Sequence, residues 1–276
     1  MDIQVAPGSP HTLAVSKGVL NVSPAAVGGV TIFDDSTPRP TSAPGNFQLY
    51  ASIQWGSNAM ELYAANSEST GFDFYTLAVN SSGVVLQQDY PAVFWNPGRI
   101  HYDRGTGLVY SDDGFHAIDP STGLPAGIFE VGGGWPMAPD STLNTVFIFT
   151  KYAFQENSNY TINLFDMTHF VPVSSIPFST QNGLIVGSGR FIRWGTNGLA
   201  LNDSSGNIYL ISAPFVSGRV TQPVSSSRCR PMDHMEPSTN SVHNREDGVI
   251  QWKALDYAGS ATDPPVQLSA AASTVG

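Results

Sequence analysis

Residues 98 to 123, GRIHYDRGTGLVYSDDGFHAIDPSTG, bring together the side chains of this chain that are best suited to chemistry. The segment contains His101 and His116 as well as the neighbouring pair Asp112 and Asp113. Imidazole transfers protons near neutral pH, and imidazole and carboxylate groups both bind divalent cations. The pattern therefore predicts either a catalytic or metal-binding site, or the ordinary turn residues of a sheet that repeats along the chain.

The elements around these residues are short strands that recur along the sequence. RIHYDRGTGLVYSDD at 99–113 aligns with segments at 2–16, 52–66, 136–150 and 191–203. In each copy two apolar runs flank a turn rich in Gly, Ser, Asn or Pro, and a third run follows. The copies begin roughly 40 to 55 residues apart, a spacing typical of four-stranded propeller blades but not of sandwiches or closed barrels. We therefore predict an all-β chain, a β-propeller of four-stranded blades with about five blade repeats.

The repeats define a predicted propeller domain at 1–216, and the composition changes after it. Residues 217–276 hold five of the twelve Lys and Arg residues and the single cysteine, and they lack strand periodicity. Such a change predicts an irregular or disordered C-terminal tail. Its run GVIQWKALDY at 248–257 could add a strand to the propeller.

The charge balance excludes several classes of partner. The net charge is −10 and only 12% of residues are charged, whereas nucleic acid binding needs clustered Lys and Arg. The three lysines offer no basic patch for a membrane surface, and no apolar run approaches the roughly 18 residues that span a bilayer. No secretion signal follows Met1, but the acidic, lysine-poor composition favours a secreted or periplasmic location for the parent protein.

Two segments carry a resemblance to a known family. IDPSTG at 118–123 and GNIYLIS at 206–212 resemble the surface-layer and lactonase-type propeller repeats of secreted bacterial proteins. The resemblance covers about residues 2 to 216 and implies the propeller fold, whereas propellers host hydrolases, lyases, oxidoreductases and scaffolds alike. Because the first copy begins at an innermost strand, we expect a truncated propeller with an unrelated C-terminal tail. A homodimer would then complete the propeller.

In a propeller the first strand of each blade lines the central channel. Polar residues that recur at one position of this strand are therefore predicted to form a ring in that channel. The alignment places Gln4, Gln54, His101, Ala138 and Arg193 at one position of that strand. This ring predicts a site for a small-molecule substrate, with His101 and Arg193 as catalytic residues. Four side chains are predicted to contact the substrate: Gln4, Gln54, Trp95 and Trp135. Five are predicted to bind a divalent metal, Ca²⁺ or Zn²⁺: His101, Asp112, Asp113, Glu68 and Asp203.

Several of these predicted site residues could instead have a purely structural role. His101 could fill the channel and hydrogen-bond a backbone carbonyl, and DDG at 112–114 is also a hairpin-turn signature. Asp119 ends a third strand and is interpreted as a turn residue. His116, on that same strand, is predicted to lie at the surface or between blades. Arg193 could pair with a carboxylate of a neighbouring blade instead of a substrate.

Two functions remain open from the sequence. The first is a hydrolase of small activated esters, lactones or phosphoesters that uses a metal-activated water in the propeller funnel. The second is a non-catalytic propeller that serves as a scaffold or binding module of a secreted bacterial protein. The sequence contains no G-x-S-x-G, H-E-x-x-H, C-x-x-C or phosphate-binding loop that would select another chemistry.

Overall fold

The computed structural model divides the chain into two compact units, Met1–Gly183 and Leu184–Gly276. It describes these residues: 2–19, 26–44, 50–67, 71–95, 97–113, 116–131, 135–151, 159–179, 189–202, 208–217, 249–252 and 266–270. Within these ranges the only helix is a short 3₁₀ turn, Pro214–Ser217, and no helix has the length and apolar character needed to cross a membrane.

The first unit contains four antiparallel sheets, each made of four strands in chain order. We number them blades 1 to 4. Blade 1 comprises β1 (Ile3–Ala6), β2 (Ser9–Val19), β3 (Ala26–Asp34) and β4 (Thr37–Pro38), and blade 2 comprises β5 (Ser52–Trp55), β6 (Glu61–Ala65), β7 (Phe74–Asn80) and β8 (Gly83–Tyr90). Blade 3 comprises β9 (Ile100–Asp103), β10 (Leu108–Ser111), β11 (His116–Asp119) and β12 (Leu124–Ile128), and blade 4 comprises β13 (Met137–Asp140), β14 (Thr145–Lys151), β15 (Asn159–Asp166) and β16 (Pro172–Ser179).

The first strands of these blades are neighbours: β1 contacts β5, β5 contacts β9, and β9 contacts β13. They are therefore the inner strands, as in a propeller. Apolar side chains from successive blades form the core between the sheets. Ile32 of blade 1 and Ile53 of blade 2 belong to one buried cluster, and Tyr63 of blade 2 and Val109 of blade 3 belong to another. Because successive side chains of a strand point to opposite faces, both faces of a blade contribute side chains to these cores.

The second unit contains one further sheet. Its strands are β17 (Phe191–Trp194), β18 (Gly198–Asn202), β19 (Ile208–Ser212), β20 (Val249–Trp252) and β21 (Val266–Ala270), in the order β17-β18-β19-β21-β20. The C-terminal segment thus contributes two strands, and β21 takes the fourth place by pairing with β19. The remainder of 217–276 lies outside the described residues, and the domain boundary at 216 stays a prediction.

The predicted fold class is confirmed: the chain is an all-β β-propeller, with four four-stranded antiparallel blades in the first unit and a fifth, five-stranded antiparallel sheet in the second. The β9–β10 hairpin illustrates the local cause. The carbonyl of Asp103 accepts the N–H of Gly107 at 2.9 Å, and Asp103 Oδ1 accepts the N–H of Thr106 at 2.9 Å. Gly107 has a φ of 72°, a conformation that glycine adopts without strain. The DRGTG turn therefore fixes the register of the strand that carries His101.

Candidate functional site

His101 lies on inner strand β9, directly opposite Tyr110 of β10. The chain then turns back so that the N–H of Asp112 donates to the carbonyl of Arg99 at 2.8 Å. This turn brings the Asp112 carboxylate beside the imidazole: Nε2 of His101 lies 2.7 Å from Oδ1 of Asp112. Both side chains are mostly buried. His101, predicted as a catalytic residue and as a metal ligand, and Asp112, predicted as a metal ligand, therefore form one histidine–carboxylate pair.

The same carboxylate oxygen has a second partner. Oδ1 of Asp112 accepts the backbone N–H of Met137, the first residue of β13, at 3.0 Å. The bond joins blade 3 to the inner strand of blade 4. Asp112 thus orients His101 and at the same time ties two blades together.

Asp113 contacts a different histidine, His116. Its Oδ2 lies 2.7 Å from Nδ1 of His116, and its Oδ1 accepts the His116 N–H at 3.2 Å. The Asp113 side chain is buried, and His116 is mostly buried as well. The neighbouring aspartates are therefore divided between two histidines on different strands, β9 and β11.

Residues at or just before the start of the inner strands complete a polar group that the sequence reasoning missed. The buried carboxylate of Asp2 accepts the N–H of Ile53 at 3.1 Å, and its other oxygen lies 3.7 Å from Nη1 of Arg99. The hydroxyl of Ser52 accepts the N–H of Ile100 at 3.2 Å. We call Asp2, Ser52, Arg99, His101 and Asp112 the collar. One signal could have found the first three: each directly precedes the aligned isoleucine of its copy.

The predicted substrate-binding residues lie in different surroundings. Gln4 lies half-buried on β1, where its amide donates to Asp2 at 3.4 Å, and Gln54 lies half-buried on β5. Trp95 is exposed, whereas Trp135 packs against the core between blades 3 and 4. The two glutamines are thus on inner strands β1 and β5, and β5 neighbours the strand that carries His101, while the packing of Trp135 gives it a structural role. Substrate contact by all four stays a prediction.

The alignment that placed Arg193 at the position of His101 is wrong by one residue. In blade 1 the N–H of Ser16 donates to the carbonyl of Asp2, and in blade 3 the N–H of Asp112 donates to the carbonyl of Arg99. In the fifth sheet the N–H of Asn202 donates in the same way to the carbonyl of Arg190. Phe191, which is buried, therefore corresponds to Ile3 and Ile100, whereas Ile192 is exposed. The fifth copy was aligned one residue out of register, and such a shift moves each side chain to the other face.

The guanidinium of Arg193 donates to three backbone carbonyls of its own unit, those of Gly198, Thr196 and Val216, at 3.0 to 3.1 Å. These bonds give it a structural role in the second unit. Its catalytic role stays a prediction.

The described part of the chain contains no group of side chains that could bind the predicted metal ion. No three His, Cys, Asp or Glu side chains are grouped there so that they could hold an ion. His101 and Asp112 are bonded to each other, Asp113 is bonded to His116, and Glu68 and Asp203 lie outside the described residues. The described residues therefore do not fit a metal centre at the collar.

Asp119, which ends a third strand, is a turn residue, as interpreted from the sequence. Oδ1 of Asp119 accepts the N–H and the hydroxyl of Ser121 at 2.8 and 2.7 Å. These bonds lower the pKa of Asp119 below its usual value. Behind the collar, burial raises the pKa of Tyr110 to about 12, so its hydroxyl remains protonated at neutral pH.

Comparisons with known proteins show similarity in structure only. No protein-family model matches the chain, and no curated protein matches it. Hydrazine synthase of Kuenenia stuttgartiensis is 12% identical, with a TM-score of 0.48 over 76% of this chain and 65% of that chain. The Dos1 propeller is 11% identical, with a TM-score of 0.49 over 96% and 68%. A putative 6-phosphogluconolactonase from Bacteroides fragilis is also 11% identical, with a TM-score of 0.38 over 96% and 99%.

The chain thus spans slightly less than two thirds of the hydrazine synthase chain. Because these similarities are low, the chemistry of the collar rests on its own residues. By fold and site, the chain is a β-propeller in which a histidine of an inner strand is paired with an aspartate of the turn after the second strand.

Proposed function

We propose that this protein hydrolyses small activated esters, lactones or phosphoesters, with His101 as the general base. The observation that supports this proposal is the 2.7 Å contact between Nε2 of His101 and Oδ1 of Asp112. An imidazole held by a carboxylate is the arrangement by which hydrolases fix a histidine base.

The chemistry follows from the donors and acceptors of the pair. An ionised Asp112 carboxylate only accepts, so Nε2 of His101 carries the hydrogen and Nδ1 keeps its lone pair. Nδ1 then takes a proton from a water molecule as the water oxygen attacks the ester carbonyl or phosphoryl group. The imidazolium, stabilised by Asp112, returns that proton to the leaving oxygen.

Arg99 is the residue best suited to the negative charge that develops during the attack. It lies two residues before His101, so in an extended chain both side chains project to the same side. Its guanidinium is partly exposed and lies 3.7 Å from Asp2, a separation that leaves further donors for a substrate oxygen. This role passes to Arg99 from Arg193, whose bonds lie within the second unit.

Hydrolysis of nitrophenyl esters, a lactone series and a phosphotriester by the purified chain tests the proposal. We expect His101→Ala to lower the rate by about 10²- to 10⁴-fold, the usual contribution of a general base. His116→Ala is the matched control, because His116 is also mostly buried and lies 2.7 Å from an aspartate. Hydrolysis no faster than in buffer, or equal losses in both folded variants, would contradict the proposal.

The metal-activated water predicted from the sequence is tested in the same assay. If His101 activates the water without a metal, treatment with a chelator leaves the rate unchanged. A rate that falls on chelation and returns with Ca²⁺ or Zn²⁺ would instead support the metal, with ligands drawn from Glu68 or Asp203. Elemental analysis of the purified protein gives an independent measurement.

A second candidate, a non-catalytic propeller module, is favoured by one specific observation. Asp2, Ser52 and Asp112 each accept a backbone N–H at an inner strand of the next blade. In this candidate the collar is a clamp between blades and has no catalytic role. Absence of hydrolysis with every substrate, together with lower stability of Asp112→Ala, is the result expected of this candidate.

A further inference from the structure

The buried carboxylate of Asp2 links three blades of the first unit. Asp2 directly precedes β1 of blade 1, and one of its oxygens accepts the N–H of Ile53 in blade 2 at 3.1 Å. The other oxygen lies 3.7 Å from Nη1 of Arg99, which directly precedes β9 of blade 3. The Asp2 side chain is only 3% exposed, and a carboxylate so removed from water requires donors or a cation around it.

Three N–H donors hold this carboxylate in one place. Oδ1 accepts the N–H of Ile3 at 3.0 Å, and Oδ2 accepts the N–H of Ile53 and the side-chain amide of Gln4 at 3.1 and 3.4 Å. Two of these donors are backbone groups of the inner strands β1 and β5, so they are fixed by the sheets themselves. Asp2 therefore presents Oδ1 to Arg99 from a fixed position.

The backbone of Arg99 is fixed as well, whereas its guanidinium depends on Asp2. The carbonyl of Arg99 accepts the N–H of Asp112 at 2.8 Å, and the N–H of the next residue, Ile100, donates to the Ser52 hydroxyl at 3.2 Å. In the described part of the chain, Asp2 is the only carboxylate that pairs with the Arg99 guanidinium. Because an arginine side chain has several rotatable bonds, it needs such a partner to keep one position.

We infer that Asp2 is a positioning residue, which holds the Arg99 guanidinium in place for the reaction at His101. The inference rests on the proposed hydrolysis, in which Arg99 stabilises the negative charge that develops as water attacks. A separation of 3.7 Å attracts the guanidinium without a hydrogen bond, so its N–H groups stay available to an oxygen of the reacting group. In this role Asp2 affects the rate only through Arg99.

A double-mutant cycle with Asp2→Asn and Arg99→Gln tests the inference in the ester, lactone and phosphotriester assays. The asparagine keeps an oxygen for the N–H of Ile53 but removes the negative charge. We expect it to lower kcat by about tenfold and to leave KM within about twofold, because the contact with Arg99 matters in the transition state. Arg99→Gln should lower kcat by about 10²- to 10³-fold, as for the loss of an oxyanion donor. In the Arg99→Gln background, Asp2→Asn should then lower kcat by less than about twofold.

Asp73→Asn is the matched control, because it makes the same change in a carboxylate outside the collar. Asp73 is half-buried and also accepts a backbone N–H, that of Ala92, at 3.1 Å, together with the hydroxyl of Tyr75 at 3.1 Å. We expect this variant to leave kcat of the folded protein within about twofold of the parent value. A loss equal to that of Asp2→Asn would overturn the inference.

Asp2→Glu provides a second variant should the asparagine variant fail to fold, which thermal melting shows. The glutamate keeps the charge but moves the carboxylate by one methylene group, so the guanidinium would be held elsewhere. Displacement of a catalytic group by about 1 Å can lower the rate by about 10²-fold. We therefore expect a lower kcat that again depends on the presence of Arg99.

Failure of this inference differs in its result from failure of the proposed function. A parent chain that hydrolyses none of the substrates would contradict the proposed function, and the role of Asp2 with it. In an active parent, losses from Asp2→Asn and Arg99→Gln that multiply in the double variant would overturn the role of Asp2 alone. An unchanged kcat in the folded Asp2→Asn and Asp2→Glu variants would overturn it as well.

Discussion

The carboxylate of Asp112 accepts the backbone N–H of Met137 at 3.0 Å, and the bond joins the turn after β10 to the inner strand of the next blade. The same oxygen lies 2.7 Å from Nε2 of His101. One atom therefore connects a structural contact with a candidate catalytic one. Substitutions that keep the first and change the second can separate the two roles.

The variants Asp112→Asn and Asp112→Ala separate the structural role of Asp112 from its catalytic role. The asparagine keeps an oxygen for the Met137 N–H but no longer carries the negative charge that stabilises a protonated His101. We expect it to keep most of the stability and lose hydrolytic activity. The alanine leaves the N–H of Met137 without this acceptor and should lower the free energy of unfolding by about 1–3 kcal/mol. Urea denaturation and the ester assay measure the two effects, and activity retained by the asparagine variant would contradict the catalytic role.

Tyr50→Phe should stabilise the protein. Tyr50 is fully buried in the core between blades 1 and 2, and its hydroxyl has no hydrogen-bond partner among the described residues. Removing an unpaired buried hydroxyl should raise the free energy of unfolding by about 1 kcal/mol. Tyr75→Phe is the control, because the Tyr75 hydroxyl donates to Asp73 at 3.1 Å and its ring lies 5.0 Å from that of Tyr50. Equal stabilisation by both variants would contradict the prediction.

Alkaline pH should destabilise the fold through its buried tyrosines. Burial, and then the charge of Asp89, raises the pKa of Tyr50 to about 12, and burial raises that of Tyr110 to about 12. Their ordinary value is about 10, so the folded state resists ionisation. Stability should therefore fall as the pH rises above about 10 towards the folded-state values. Urea midpoints measured against pH check this, and Tyr50→Phe should give the shallower decline.

Asp89→Asn should stabilise the protein at neutral pH. Partial removal from water, followed by the charge of Asp73, raises the pKa of Asp89. The folded state therefore disfavours its ionised form, and stability is lost as the pH rises through about 4 and the carboxylate ionises. The neutral amide avoids this loss, so the difference between variant and parent should disappear below about pH 4.

Asp34→Asn is the control of opposite sign. Hydrogen bonds from Arg39, and then from Thr12, lower the pKa of Asp34. Its contribution to stability is therefore present above the unfolded-state value and is lost as the pH falls below about 4. We expect this variant to melt below the parent at neutral pH. Melting curves across the acidic range measure both variants, and shifts of the same sign would contradict the assignment.

A chain that ends at Ser217 should lose stability in the second unit. Tyr209–Ser212 of β19 pair with Gln267–Ala270 of β21, so the truncation removes the backbone partners along that edge. An exposed edge strand also invites pairing with other chains. We expect a lower melting temperature and more self-association than in the full chain. Unchanged melting and oligomeric state would mean that residues 217–276 are a passive extension.

The sequence predicted His101 better than it predicted the surroundings of that residue. Alternation of apolar and polar residues places His101 on an inner strand, and the repeat identifies that strand. The pairing of adjacent aspartates with different histidines depends on a turn at residues 112–113 that carries no such period. Asp2 and Arg99 are close only because three blades meet, so their contact could not be read from any one copy.

By itself the sequence determined the all-β class, the four-stranded unit and the inner strand of each copy, because hydrophobic alternation and turn residues act within a few positions of the chain. The tertiary structure decided the collar, since its hydrogen bonds join residues from 11 to 51 positions apart and its ion pair joins the still more distant Asp2 and Arg99. It also decided the register of the fifth copy. Whether Phe191 or Ile192 is buried depends on the packing of the sheet, and a shift of one residue exchanges the two faces.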